Sequence, residues 1–190
     1  MRKKRVFPLA LFLFCPAVVV AQFGSGVSRV EAGAQFTELA LSAPVSEKAA
    51  GVGGRFSYNF SRFGGVDADA NHFPGGSARN PNFGETTGFV GARIGYATDS
   101  IGLFAKIRPG FIHFAQDSAA ASRGLSQNYF ALDVGAVLER YFKNHTFVRL
   151  DFGDTVVPYG NTLYVDASGT SRRLGTQNNP SASIGFGFYF

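Results

Sequence analysis

Eight stretches of this chain alternate apolar with polar residues, and every charge within them falls on the polar side. A period of two marks an extended strand, because successive side chains point to opposite faces. The polar positions carry Glu31, Arg55, Asp67, Asp69, Arg93, Lys106, Arg108, Asp133, Glu139, Arg149 and Asp151. The apolar positions run Val30, Ala32, Ala34, Phe36 in the first stretch and Phe130, Leu132, Val134, Ala136, Leu138 in the sixth. They carry no charge anywhere. Such sorting requires the greasy face to meet something other than water.

Two architectures meet that requirement. In a soluble sandwich the apolar faces share a core and the charges meet water. In a membrane barrel the apolar face meets lipid and the charges line the lumen. A charge on a lipid face costs about 2–4 kcal/mol at the midplane, enough to keep that face clean. The two ends of the chain favour the barrel. Arg2, Lys3, Lys4 and Arg5 precede an apolar run from Val6 to Val20, with Val19-Val20-Ala21 before Gln22. That is the anatomy of a secretory signal peptide over residues 1–21, leaving 22–190 as one domain. The run is short for a spanning helix, which needs about 20 apolar residues, and Pro8 and Pro16 weaken it further. Phe14 before Cys15 and Pro16 after it rule out a lipoprotein signal.

Removing that leader takes the only cysteine and four basic residues with it. The remainder is nearly neutral, without thiol chemistry and without the basic patch that nucleic acid requires. The far end reads Ser-Ala-Ser-Ile-Gly-Phe-Gly-Phe-Tyr-Phe. Ala182, Ile184, Phe186, Phe188 and Phe190 share one face. The chain holds 24 Gly and 21 Phe, and no stretch after residue 21 has a sustained helical period.

Connections alternate in length. Those containing Glu47-Lys48, Pro74 to Glu85, Gln116 to Gln127 and Pro158 to Pro180 are long and polar. Those around Ser61 to Gly64, Ala97 to Ser100 and Tyr141 to Thr146 are brief. Four up-down hairpins closed by pairing the first strand with the last satisfy every backbone group that lipid would leave stranded. The expected fold is therefore all-β, a closed eight-stranded antiparallel up-and-down transmembrane barrel. Glycines on the inward side make room for long charged side chains. Pro109 cannot donate to a ladder, so a bulge is expected at Pro109-Gly110.

The strand count, loop asymmetry and terminal Phe make the chain resemble the OmpA/OmpX-type small barrels of the bacterial outer membrane. That resemblance implies export across the inner membrane and a monomer among outer-membrane lipids and lipopolysaccharide. It implies that periplasmic chaperones and the barrel-assembly machinery act as partners, reading Ile184, Phe186, Phe188 and Phe190 as an assembly signal. It also implies a lumen plugged by a charge network. Arg55 with Asp69, and Arg149 with Glu139, are the pairs that hairpin register favours. Trp is absent, so Tyr96, Phe104, Tyr141, Phe142 and Phe188 are the aromatic-belt candidates.

Chemistry finds less support. An acyl-modifying enzyme needs a nucleophile and a His base within reach. His72 and His113 fall at strand ends on the outward parity, with no His-x-Ser spacing beside them, and His145 falls in a tight turn. Asp67-x-Asp69-x-Asn71 opens like a calcium loop but lacks its glycine and distal glutamate. Neither a catalytic residue, a metal ligand nor a cofactor is expected. The loops remain as the functional surface, and Arg172-Arg173 is the candidate contact with lipopolysaccharide phosphates. A structural or envelope-integrity role, or surface adhesion through the loops, is the expected function. A narrow channel for small solutes and a lipid-A-modifying enzyme are the alternatives.

Overall fold

The computed structural model describes residues 30–42, 47–74, 84–115, 128–165 and 170–190; the proposed leader and its cleavage site lie outside them. Eight antiparallel strands close into a barrel in chain order. They are β1 (Val30–Leu41), β2 (Glu47–Ser61), β3 (Gly64–Phe73), β4 (Glu85–Ala97), β5 (Ile101–Phe114), β6 (Asn128–Tyr141), β7 (Thr146–Val165) and β8 (Ser171–Tyr189). β1 pairs with β8 from Glu31↔Tyr189 to Leu39↔Ser181, so no edge strand remains.

The alternation determines which way each side chain looks. Phe36, Phe56, Ile94, Leu103, Ile107, Phe130, Phe152, Ile184, Phe186 and Phe188 all lie on the outer surface with about half or more of their area exposed. A continuous band of this kind far exceeds the apolar patches a water-soluble monomer shows. It is a surface built for hydrocarbon. Inside, an eight-stranded barrel leaves just enough width for side chains. Where the wall comes close to itself, only glycine fits. A Cβ on Gly135 would lie 2.0 Å from the Phe152 carbonyl oxygen, and one on Gly95 would lie 2.0 Å from that of Leu103.

Three expectations are corrected here. First, Pro109 makes no bulge. β5 pairs with β6 without a register shift from Ile101↔Arg140 to His113↔Asn128. On the other side only Val90↔Pro109 and Gly91↔Arg108 drop out, while the register on both flanks is the same. The missing N–H thus opens a two-pair gap in the β4–β5 ladder but displaces nothing. Replacing Pro109 by Val should close the gap. We expect a gain of about 1 kcal/mol, the net worth of one hydrogen bond, read as a higher urea midpoint of the protein folded in lipid vesicles.

Second, Pro158 to Pro180 is not a loop. β7 and β8 run through most of it as a two-stranded arm, pairing out to Val165↔Ser171. Likewise Lys48 belongs to β2, where it meets Glu38 of β1 at 2.9 Å. The arm bends at its root. The register shifts between Pro158 and Gly160 and again before Leu163, so β7 takes up two extra residues. Gly160 and Gly175 face each other across the ladder, both left-handed, with φ of 63° and 64°. Each bulge turns the strand and reverses which side chains face inward. Leu174 thereby points in and is 3% exposed, packed with Tyr159. Side chains meet the carbonyls at the bend: Thr162 Oγ1 donates to Tyr159 O at 2.7 Å, and Gln177 Nε2 donates to Leu174 O at 2.5 Å.

Third, two belt candidates face the interior. Phe104 is 2% exposed beneath Arg93, and the Tyr141 hydroxyl turns into the lumen. Phe104 alternates with Leu103 and Ala105, which hold the outer face, so its parity sends it inward. Tyr96, Phe142 and Phe188 stay on the outer surface.

Candidate functional site

The polar positions of all eight strands converge on the lumen. Each of the eleven charges named from the sequence is at most 8% exposed. Among them stand six carboxylates and five cations, and geometry links them into one network.

Nearest the short-turn end, Arg93 of β4 spans the lumen. Its Nη2 donates to Glu31 Oε2 at 2.7 Å and its Nη1 to Glu139 Oε1 at 2.6 Å. Asn59 Oδ1 accepts a further bond from Nη2 at 2.6 Å. The guanidinium lies 4.5 Å from the centre of the Phe104 ring, a cation–π contact that covers its remaining face. Tyr141 Oη lies 2.9 Å from Glu31 Oε1 and 2.5 Å from Glu139 Oε2.

Asp67 is the middle hub. Arg149 Nη2 reaches its Oδ2 at 2.7 Å, Arg108 Nη1 reaches the same oxygen at 2.8 Å, and Arg55 Nη2 lies 3.4 Å from Oδ1. The Ser57 hydroxyl donates to Oδ1 at 2.6 Å. Arg149 also holds Glu139 at 3.0 Å and Asp151 at 2.8 Å. Above this hub, Arg108 binds Asp69 at 2.5 Å and Asp133 at 2.6 Å, while Lys106 binds Asp133 at 2.7 Å and also Asp151. Burying charge is tolerable only when each is paired and hydrogen-bonded, as here.

Of the two pairs favoured by register, Arg149 with Glu139 forms. Arg55 and Asp69 are cross-strand neighbours, yet their side chains go elsewhere. Asp69 is held by Arg108 and by the Asn71 amide at 3.1 Å, so Arg55 turns to Asp67 and to Gln35 Oε1 at 3.4 Å. Asp67, Asp69 and Asn71 all point into this network, which uses their oxygens for arginine and amide contacts.

Sequence reasoning missed a second layer. Toward the long-connection end the inward face turns largely apolar, with Glu85 buried beside it. Leu39, Leu41, Phe73, Phe89, Ile112 and Phe114 pack there with Val157, Tyr159 and Leu174. Between this cluster and the ions lies a cavity of about 20 Å³, lined by Asp69, Asn71, Lys106 and Thr155 among others. That is room for about one water molecule. Among the described residues, an ionic layer and an apolar layer thus fill the lumen one above the other.

On the outer surface, His72 and His113 stand at the margin of the apolar band. His72 Nδ1 lies 3.1 Å from Thr86 Oγ1, and His113 Nδ1 lies 2.9 Å from Asn128 Oδ1. His145 sits exposed in the β6–β7 turn with φ of 60°. Arg172 and Arg173 are exposed on the arm.

Comparison with solved structures fixes the class. Ail, the attachment invasion locus protein of Yersinia pestis, superposes with a TM-score of 0.50 at 13% identity, covering 86% of this chain and 97% of that one. The N-terminal β-barrel domain of Pseudomonas aeruginosa OprF gives 0.50 at 14% identity, over 86% and 98%. The chain has the fold of a small eight-stranded outer-membrane β-barrel. No protein-family model and no curated protein sequence matches it. Identities this low carry the barrel's architecture and leave its activity to be read from its own residues.

Proposed function

We propose that this barrel resides in the bacterial outer membrane as a non-conducting protein whose work is done at the cell surface, in envelope integrity or adhesion. The observation that carries this reading is the double closure of the lumen. An ion crossing it would have to displace the Arg93, Arg149 and Arg108 bridges and then pass an apolar plug. Among the described residues, both layers stand against the solute-channel reading.

In this reading the short turns and both described ends face the periplasm, and the arm stands on the outside. Ile184, Phe186, Phe188 and Phe190 line the outer face of β8 and serve as the signal to the assembly machinery, after chaperones have carried the chain from a leader cleaved at Ala21. Arg172 and Arg173 on the arm form a basic pair suited to lipopolysaccharide phosphates or other anionic glycans. Ail, the neighbour noted above, was solved in complex with the heparin analogue sucrose octasulfate, which agrees with a polyanion-facing surface for this fold. Planar-bilayer recording tests the central claim. The purified protein should give no steady open level. A stable conductance of porin size, rising in proportion to salt, would overturn it.

A further inference from the structure

The sharpest feature outside the lumen is a row of polar groups on the outer wall. Cross-strand register sets His72, Thr86, His113 and Asn128 side by side on β3, β4, β5 and β6. The row directly beneath is Ala70, Gly88, Phe111 and Phe130, fully apolar. The hydrocarbon-facing band therefore ends on this line, at the end of the barrel that carries the long connections. On β2 and β1 the same register row continues as Val52 and Phe36, and the exposed Glu38–Lys48 ion pair stands further toward the long-connection end.

The two imidazoles are held alike. Each uses Nδ1 sideways, His72 against the Thr86 hydroxyl at 3.1 Å and His113 against the Asn128 carbonyl oxygen at 2.9 Å. Neither Nε2 has a hydrogen-bond partner among the described residues. Both flanking oxygens can accept from an Nδ1–H. With Nδ1 engaged in the wall, each ring turns its Nε2 edge outward, and an imidazolium donates from both nitrogens. Two oriented N–H donors at a hydrocarbon–water boundary suit an anionic headgroup, and neighbouring oxygens take up the far side of each ring.

We propose that the row His72–Thr86–His113–Asn128 is a binding site for the phosphate of a lipid headgroup in the leaflet at the arm end of the barrel. This rests on the membrane placement given above and adds a ligand class and named residues to it. The site uses the imidazolium form, in which Nε2–H of each ring donates to phosphate oxygen.

A hydrolytic reading of the same residues is less favoured by the geometry. A Thr hydroxyl beside one imidazole and an Asn amide beside another evoke a nucleophile, a base and an orienting group. Here the parts are crossed. The hydroxyl is bonded to His72, whereas the amide supports His113. No single ring has both.

The test uses the full-length protein folded into nanodiscs of phosphatidylcholine doped with lipid A, or with lipid A lacking its phosphates. Heat-modifiable gel mobility first reports insertion. Native mass spectrometry then counts retained lipid A. The wild type should retain the phosphorylated form preferentially, and H72L/H113L should lower that retention about tenfold, one order of affinity for about 1.4 kcal/mol. Leucine continues the apolar band, so both proteins should insert; H145N, in the exposed turn at the other end of the barrel, serves as the control that removes an imidazole outside the row. Equal retention by H72L/H113L, or equal retention of the two lipids by the wild type, overturns the proposal while leaving the barrel in its membrane. Failure of the wild type to insert overturns the membrane placement instead. Release of free fatty acid that T86V abolishes would replace binding with hydrolysis.

Discussion

Asp67→Asn should be among the most damaging isosteric changes this protein can suffer. The carboxylate accepts from Arg55, Arg108, Arg149 and Ser57. Breaking a buried ionic cluster by removing one member costs about 3–5 kcal/mol, since the partners stay buried without compensation. Net charge argues the opposite way: six acids against five bases would become balanced. The local geometry should win, because three guanidiniums converge on one carboxylate and an amide offers one of them a donor in place of an acceptor. The measurement is the urea midpoint of the protein folded in vesicles. Arg55→Met is the internal comparison. Both of its contacts are 3.4 Å long, so its loss should be much milder. Equal effects would mean that the lumen behaves as diffuse charge and not as a set of specific bonds.

Ile107→Arg should be nearly as severe, for an unrelated reason. Ile107 is 52% exposed near the middle of β5. On a water-facing wall such a change falls within about 0.5 kcal/mol of neutral. Facing the bilayer midplane it costs about 2–4 kcal/mol. The same substitution therefore reads out what the outer surface touches. Folding yield into vesicles and the midpoint of the folded fraction should both drop. Unchanged values would place Ile107 in water and undo the membrane assignment.

The strands were legible in the sequence because charge and alternation agree along them. Arg93 between Ala92 and Ile94, or Asp133 between Leu132 and Val134, admits one orientation only, and the register follows. Legibility failed where both faces are apolar. Phe111-Ile112-His113-Phe114 offers no polar partner to mark the inner side, so the plug formed by Ile112, Phe114, Phe73 and Phe89 left no period-two trace. Phe104 is a different case: its parity sends it inward, against the belt position that its aromatic ring suggests. The arm was hidden by its own composition. Pro158, Gly160, Asn161, Gly175 and Pro180 are residues of turns, and here they serve a bent ladder whose two bulges reset the alternation. Ion-pair choice lay beyond register altogether. Neighbouring Cα atoms bring Arg55 to Asp69, but the length of a guanidinium arm lets competition among several carboxylates decide.

The bridges of Arg93 join β4 to β1 on one side and to β6 on the other. No hairpin contains both ends of either bond. A half-wound sheet would hold Arg93 without Glu31, whereas Glu139 already meets Arg149 across its own hairpin, so the bridge to Glu31 forms only when β1 comes round to face β4. Part of the ion pairing therefore waits for closure, and the bridge from Arg93 to Glu31 should make the last step of barrel formation more cooperative.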